Sequence, residues 1–404
     1  MLSVKNPIMT GFFPDPSICR VGNKFYTVHS TFAYFPGVPV FESEDLVHWN
    51  LISNVLDRDS QVPLSGCQHS QGIFAPTIRY HKGTWYMITT NVSDQGNFIV
   101  TAKDPRGPWS EPYYLGESTG GIDPSLFFDD DGTCYYIGQR PRSAGYRYNG
   151  DCEIWIQTLD LDTMQLKPDA TIVLTGFQRK AIWPEGPHLY KKDGYYYILH
   201  AESGTSIHHS VMIARSKNVF GPYEYCPCNP ILTHRHLGAQ YPVTCVGHAD
   251  LVDDGNGNWY MVVLACRPNQ GYTLLGRETF LAKVTWEDGW PVVNAGVGHL
   301  EEVVTLPYEG QPSDDVPQCK TYTFDTPSLP LELLTLRNHR DHELELHAEE
   351  HIVRLFHRCD SLKDCGEPAY LALRQQHWNC EFETSFIPHF CKESDCAGIA
   401  MVQS

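Results

Sequence analysis

The sequence predicts an all-β protein, a five-bladed β-propeller followed by a partial β-sandwich that reads as truncated. Helical periodicity is nearly absent, aromatic residues make up 12% of the chain, and 32 glycines and 28 prolines separate short apolar runs. Such a chain is typically built from many short strands and turns. An internal repeat then selects the propeller among the β architectures.

The repeat consists of an apolar strand, a Gly or Asn turn and an aromatic-rich strand, and it returns five times. The turn and second strand read "VGNKFYTVHST", "HKGTWYMITTN", "DDGTCYYIGQ", "KDGYYYILHAES" and "GNGNWYMVVLACR". The glycines supply the positive φ that tight hairpins need, and aromatic and β-branched residues suit half-buried strands. Five such units predict a five-bladed propeller over residues 1–306. A β-sandwich is the alternative, but it does not explain the repetition.

The composition changes after the propeller. Residues 307–319 are rich in Pro, Asp and Gln and are interpreted as a linker. Residues 320–404 carry no sixth copy of the repeat, and their alternation predicts strands at "LELHAEEHIVRLF", "NCEFETSF" and "AGIAMVQS". We interpret this region as an incomplete C-terminal β-sandwich, whose open edge would be a pairing hazard.

The net charge argues against two classes of partner. At −18 the chain would be repelled by nucleic acid and by anionic membrane surfaces. The N-terminus lacks the apolar run of a signal peptide, and no later stretch is long enough to span a bilayer, so a cytoplasmic location is expected. The 14 cysteines form no C-x-x-C pair and are expected to be reduced thiols. The oligomeric state stays open.

Aligning the five repeats places several polar side chains at equivalent positions. The residues before or at the first strand of each unit read "FPDPS", "IFAPT", "GIDPS", "WPEGPH" and "VGHAD". Since the innermost strands of a propeller line its central channel, we expect Asp15, Asp123, Glu185 and His248 to meet at one mouth. Taken singly, an Asp before Pro-Ser is ordinary turn chemistry, and a lone His is more often structural. Three carboxylates at equivalent positions are harder to explain by turns alone.

This grouping of carboxylates predicts glycoside hydrolysis. The sequence shows no nucleophilic Ser or Cys constellation, no Gly-rich phosphate loop and no metal-ligand cluster. Glycoside hydrolysis needs a protonated carboxyl that gives a proton to the leaving oxygen. It also needs an ionised carboxylate that activates water or attacks the sugar, and a third carboxylate can hold the acid protonated by repulsion.

Sugar rings also need flat apolar walls and hydrogen-bond donors. Candidates for the walls are Phe32 and Phe35 in "TFAYFPG", Phe74 in "GIFAP", and Trp183 beside Glu185, although each fits an inter-blade core equally well. Candidate cations are Arg277 in "LLGRETF" and Arg267 in "ACRP", for which a surface salt bridge is the competing interpretation.

Several motifs in fixed order resemble one known family. The segments "FPDPS", "GIFAP", "GIDPSLFFDDDG", "PEGPHLY", "IARSKNVFGPYE", "GHADLV" and "LGRETF…DGWPV" are similar to family 43 glycoside hydrolases of the β-xylosidase and α-L-arabinofuranosidase type. The likeness covers roughly residues 5–300, and a weaker one beyond 320 suggests the sandwich such enzymes carry.

The resemblance implies an inverting, exo-acting hydrolase that releases single pentoses. It assigns Asp15 as the general base, Asp123 as the carboxylate that tunes pKa, and Glu185 as the general acid. It also implies that His248 and Arg277 contact substrate hydroxyls and that Phe35 and Phe74 form the wall.

We therefore expect terminal β-D-xylosyl groups to be released from short xylo-oligosaccharides. One alternative is α-L-arabinofuranosidase as the main activity; another is a catalytically impaired sugar-binding propeller, because the C-terminal domain is short. The partner is expected to be a small neutral oligosaccharide. No cofactor is required, but a structural calcium ion near His248, beside Asp250, stays an open expectation.

Overall fold

The computed structural model describes residues 1–116, 120–311, 319–338 and 344–403. In chain order its first strands are β1 (Leu2–Lys5), β2 (Ser17–Val21), β3 (Lys24–Val28), β4 (Tyr34–Phe35), β5 (Gly37–Ser43), β6 (Asn50–Leu56), β7 (Thr77–His81), β8 (Thr84–Asn91), β9 (Gly96–Ala102), β10 (Tyr113–Tyr114), β11 (Ile122–Phe128), β12 (Cys134–Pro141) and β13 (Cys152–Asp160). They are followed by β14 (Gln165–Leu166), β15 (Thr171–Thr175), β16 (Glu185–Lys192), β17 (Tyr195–Glu202), β18 (Ser210–Ser216), β19 (Glu224–Tyr225), β20 (Thr244–Asp253), β21 (Trp259–Cys266), β22 (Glu278–Glu287), β23 (Trp290–Val293), β24 (Val303–Leu306), β25 (Thr335–Leu336), β26 (Leu344–His347) and β27 (Ile352–Leu355). Short 3₁₀ segments lie at Phe177–Arg179 and Arg235–Leu237. Within the described ranges, no helix has the length and apolar character needed to cross a membrane.

Five antiparallel sheets form the blades of a propeller. Their strand orders are β2-β3-β5-β6, β7-β8-β9-β10, β11-β12-β13-β14 with β15 also on β13, β16-β17-β18-β19, and β20-β21-β22-β23. The first two strands of every blade are the hairpin that the repeat predicts. The innermost strands β2, β7, β11, β16 and β20 contact one another around a closed ring, so the all-β, five-bladed prediction is confirmed.

The apolar core is divided among the five seams between neighbouring blades. In β8, Trp85 and Met87 pack toward blade 1, whereas Tyr86 and Ile88 pack toward blade 3. This alternation follows from the two-residue period of a strand, whose side chains point to opposite faces. Each blade is therefore buried on both faces, which explains why the repeats read as nearly continuous apolar runs.

A two-stranded ribbon closes the ring between the last and first blades. Strand β1 pairs antiparallel with β24 and matches Leu2 to Leu306. Leu2 and Val304 pack in one cluster with Ile18 of blade 1 and Val262 of blade 5. The two ends of the propeller segment thus meet at one seam.

The region after the propeller contains far fewer strands. Strand β25 pairs with β4, and Leu336 is buried in the seam between blades 1 and 2. The predicted strand pair at 344–356 is confirmed as the hairpin β26–β27. The predicted strands at 379–386 and 397–404 are wrong for the residues described, because no neighbouring strand pairs with them and extended backbone without a partner forms no ladder. Of the predicted linker, residues 312–318 lie outside the described ranges, as does Ser404.

Candidate active site

The predicted carboxylates lie where innermost strands begin. Asp15 precedes β2, Asp123 is the second residue of β11, and Glu185 opens β16. His248 lies in β20 of blade 5. Because these strands converge on the channel, side chains that are far apart along the chain are brought to one mouth.

Irregular backbone at these strand entries sets the direction of the side chains. The ladders shift register between Ile122 and Ser125, between Glu185 and His188, and again at the start of β20. Asp15, Asp123 and His248 have positive φ of 54°, 54° and 50°. Positive φ is strained for non-glycine residues, and such strain and bulges concentrate at functional sites.

Asp15 lies in a cationic and hydrogen-bonding environment. The Arg277 guanidinium donates to its Oδ1 at 2.8 Å, and the Ser30 hydroxyl donates to its Oδ2 at 2.5 Å. His248 Nδ1 lies 3.9 Å from Oδ1. Burial by itself would raise the pKa of Asp15, but Arg277, His248 and Ser30 outweigh it and hold the pKa below its ordinary value. Asp15 is therefore kept ionised.

Asp123 and Glu185 lie in the opposite electrostatic situation. Burial raises the pKa of Asp123 to about 6, with a further contribution from the negative charge of Asp15. Burial, Asp123 and Asp15 together raise the pKa of Glu185 well above its ordinary value, and Arg277 offsets only part of this. Glu185 is therefore the carboxyl that favours its protonated form.

Gly186 couples these groups to one another. Its backbone N–H donates to Asp123 Oδ2 at 3.1 Å. A Cβ built on Gly186 would lie 3.0 Å from His248 Nδ1, and the residue has a φ of +58°. Only glycine meets both demands without strain. The "PEGPH" motif therefore positions Glu185, contacts Asp123 and leaves room for the His248 ring.

An aromatic cluster lies beside Arg277. The ring centroids of Phe12 and Phe32 are 5.6 Å apart, and those of Phe32 and Phe74 are 5.3 Å apart. The Arg277 guanidinium lies 5.0 Å from the Phe32 centroid. This arrangement brings the predicted Phe32, Phe74 and Arg277 together. Phe12 was missed by sequence reasoning, although it directly precedes the "FPDPS" motif.

Two other predicted site residues lie elsewhere. Phe35 is fully buried in the seam between blades 1 and 2, where β4 pairs with β25, so its assignment to the sugar-facing wall is wrong. The alternation of "AYF" along a strand turns its ring into the core. The candidate cation Arg267 is held by a bidentate ion pair with Glu278, at 2.7 and 2.8 Å, which favours the structural interpretation.

A cavity of about 1460 Å³ opens from the mouth of the channel. Glu185 and Trp183 both line it, as do the turn 93–95 and the loop before β13. Trp183 keeps 40% of its surface exposed, unlike the core aromatics. The structure thus gives Trp183 an accessible position next to Glu185.

Below the carboxylates, the channel contains its own cation. Arg79 Nη1 donates to Asp250 Oδ2 at 3.0 Å, and the Ser17 hydroxyl donates to the same oxygen at 2.8 Å. The Tyr190 hydroxyl donates to Asp250 Oδ1. Arg79 belongs to the innermost strand of blade 2, in "APTIRY", and sequence reasoning missed it.

This network bears on the expected calcium ion near His248. Both oxygens of Asp250 are occupied by donors, and the positive charge that a metal would supply comes from Arg79. Within the described ranges, no group of three or more His, Cys, Asp or Glu side chains is arranged to hold a metal ion. The carboxylate of Asp250, whose two oxygens already accept these hydrogen bonds, therefore does not fit as a calcium ligand.

The chain is similar to known proteins over both of its regions. Residues 4–291 match the family model "Glycosyl hydrolases family 43", and residues 321–404 match "Beta xylosidase C-terminal Concanavalin A-like domain". The chain is 55% identical to a xylosidase/arabinosidase of Butyrivibrio fibrisolvens over 100% of its own length and 78% of the relative's. It is 40% identical to a non-reducing end α-L-arabinofuranosidase of Bacteroides ovatus, covering 98% of this chain and 73% of that one.

A solved structure is similar over the same range. A xylan β-1,4-xylosidase from Bacillus halodurans superposes with a TM-score of 0.83 at 38% identity, covering 93% of this chain and 72% of the other. Together with the family match over the propeller, these similarities show that the protein is an enzyme. The chain belongs to glycosyl hydrolases family 43 and is a glycoside hydrolase.

Proposed function

We propose that this enzyme is an exo-acting, inverting hydrolase that removes terminal β-D-xylosyl groups from short xylo-oligosaccharides. The names of similar proteins support the substrate class, since they include xylosidase/arabinosidase and xylan β-1,4-xylosidase. A catalytically impaired sugar-binding propeller is not favoured, because all three carboxylates are present and the relatives carry enzyme names.

The observation that carries the proposal is the division of charge among the carboxylates. Arg277 and Ser30 contact Asp15 and keep it ionised, whereas burial and two neighbouring carboxylates favour protonated Glu185. A base that is ionised and an acid that is protonated at the same pH are the pair that glycoside hydrolysis needs.

In the proposed mechanism, Asp15 accepts a proton from a water molecule as that water attacks the anomeric carbon. The bond between the anomeric carbon and the glycosidic oxygen breaks, and Glu185 gives its proton to the departing oxygen. Asp123 raises the pKa of Glu185 by its negative charge and fixes the backbone beside it through Gly186. Asp15 ends protonated and Glu185 ionised, and exchange with solvent restores both.

The surrounding groups hold the sugar. Arg277 and His248 lie beside Asp15 and present N–H donors to substrate hydroxyls. The cluster of Phe12, Phe32 and Phe74 gives the pentose an apolar wall. Because the aromatic wall and Arg277 lie next to each other, they suit a small sugar at the end of a chain.

The stereochemical course tests this proposal directly. Proton NMR during hydrolysis of an aryl β-xyloside should show α-xylose first, with β-xylose growing only by mutarotation. If β-xylose appears first, a covalent intermediate forms and the assignment of Asp15 as a base is wrong.

The second candidate is α-L-arabinofuranosidase as the main activity. It is favoured by the name of the Bacteroides ovatus relative, which is 40% identical over nearly the whole chain. Comparing kcat/KM for aryl β-xyloside and aryl α-L-arabinofuranoside decides between the two. A larger value for the arabinoside would make it the main activity and would leave the roles of the carboxylates intact.

A further inference from the structure

The cavity beside Glu185 is larger than one terminal sugar and its neighbour require. Its volume of about 1460 Å³ exceeds the range of about 300–1,000 Å³ that is typical of small-molecule pockets. Among the described residues that line it, Glu185 is the one member of the carboxylate cluster. Because the acid gives its proton to the leaving oxygen, this cavity lies on the leaving-group side.

Trp183 lines this cavity and is packed closely against two glycines. A Cβ on Gly150 would lie 3.1 Å from the indole Nε1, and a Cβ on Gly204 would lie 2.7 Å from Cε3. The backbone N–H of Trp183 donates to the Gly150 carbonyl at 2.8 Å. Backbone therefore approaches the indole closely from two sides while 40% of the residue stays exposed. A rigid, accessible ring loses little entropy when a sugar stacks on it.

A second exposed aromatic residue lines the same cavity. Tyr146 also lines it, at 67% exposure, on the loop between β12 and β13. The loop is anchored, because Arg147 forms a bidentate pair with Asp151 at 2.8 Å for both bonds, and the Tyr148 hydroxyl donates to the Ala181 carbonyl at 2.8 Å. A large exposed ring on a loop tied down at its base has no role in the core.

Part of the cavity lining is polar. The turn 93–95 contributes Ser, Asp and Gln side chains, all of them exposed and lining the cavity. A lining that combines aromatic faces with hydroxyl, carboxylate and amide groups matches the two kinds of surface of a neutral sugar chain.

We propose that this cavity binds the leaving-group portion of the substrate, including at least two sugar units beyond the first leaving sugar. Trp183 and Tyr146 would serve as its stacking platforms. This inference rests on the proposed function, because it uses Glu185 as the acid. It assigns the enzyme a preference for a tetraose over a biose, and it makes Tyr146 a specificity-determining residue.

The test compares chain lengths in native enzyme and in Tyr146→Ala. We expect kcat/KM to rise about 10-fold from xylobiose to xylotetraose, as one good stacking contact allows, and Tyr146→Ala to remove most of that rise. Tyr113→Ala is the matched control, since Tyr113 is exposed but does not line the cavity.

A binding measurement separates this inference from the proposed function. Calorimetric titration of Glu185→Gln should give tighter binding of xylotetraose than of xylobiose, whether or not the native enzyme turns either over. Equal values for the two oligosaccharides, or equal effects of Tyr146→Ala and Tyr113→Ala, would overturn the inference. If tetraose binds more tightly but no pentose is released from any substrate, the cavity is a sugar site and only the proposed function fails.

Discussion

Similar alternating sequences form paired, buried strands in the propeller but not in the region after it. In the blades, alternation and aromatic strands produce residues buried on both faces, with five apolar seams. In residues 379–403, comparable alternation produces no strand, and rings such as Phe386 are 52% exposed. The difference lies in the neighbours, because each blade strand has a hydrogen-bonding partner supplied by the repeat.

The two regions still contact each other at several places. Leu336 of β25 is buried between blades 1 and 2, and Arg337 Nε donates to the Cys67 carbonyl at 2.7 Å. Gln376 Nε2 reaches the Thr10 carbonyl at 3.4 Å, close to the strand entry that carries Asp15. Residues of the region after the propeller are therefore inserted into the propeller fold itself.

The largest expected effect comes from the acid in the propeller. Glu185→Ala should lower kcat/KM on xylobiose by about 1,000-fold, because the leaving sugar oxygen then departs without a proton. The loss on an aryl xyloside should be much smaller, since a good leaving group hardly needs the acid. Steady-state kinetics on both substrates measure the two losses.

A carboxylate from the other region is the control. Glu349 lies exposed in the turn between β26 and β27, and Glu349→Ala should leave both rates unchanged. Equal losses on xylobiose and the aryl substrate in Glu185→Ala would contradict the role of Glu185 as the acid.

The next effect distinguishes two apolar residues after the propeller. Leu336→Ala should lower the free energy of unfolding by about 3 kcal/mol, because it opens a cavity in the seam between blades 1 and 2. Ile387→Ala should change it by less than about 0.5 kcal/mol, since Ile387 is 84% exposed. Denaturant unfolding measures both. A large loss for Ile387→Ala would mean that 379–403 is packed more like a blade than the structure shows.

A smaller effect concerns how the protonation of Glu185 changes the stability of the folded enzyme. The pKa of Glu185 is raised in the folded state, so the native state binds more protons than the unfolded chain as pH rises above the ordinary value of 4.5. The stability tied to its proton is then lost as pH rises through the folded pKa. Glu185→Gln should therefore stabilise the enzyme by about 1 kcal/mol at alkaline pH and give no gain below pH 4.5.

Thermal unfolding of Glu185→Gln and Glu349→Gln across pH is the measurement. The exposed Glu349 should show no such pH-dependent gain. If Glu185→Gln is no more stable than native enzyme at any pH, the carboxyl is not held in the unfavourable environment described above.

Sequence reasoning reached the fold and much of the site because both depend on the repeat. Aligning five hairpins places Asp15, Asp123, Glu185 and His248 at equivalent positions, and the closed ring of innermost strands brings them together. The repeat says nothing about which aromatic faces the mouth, so Phe35 was assigned to the wall when its ring enters a seam. That distinction depends on strand β25, which lies 300 residues away in the chain.

The ion pair in the channel could not be predicted from the sequence either. Arg79 and Asp250 are separated by 171 residues and meet only because blades 2 and 5 face the same channel. Neither "APTIRY" nor "GHADLV" indicates the other. The same holds for Tyr146, whose value as a platform depends on a cavity rather than on its own motif.

The smallest expected effect is that of a chelator. Arg79 and two hydroxyls donate hydrogen bonds to the oxygens of Asp250, so the channel already contains a positive charge beside this carboxylate. Burial alone would raise the pKa of Asp250. Arg79, His188 and the hydrogen bonds outweigh burial and hold that pKa at about 2. We therefore expect EDTA to leave kcat/KM and the melting temperature unchanged, and added calcium to have no effect. Thermal unfolding and steady-state kinetics in both conditions measure this. A fall in either that calcium restores would mean that a cation binds in the channel despite Arg79, and that the two oxygens of Asp250 can exchange their partners.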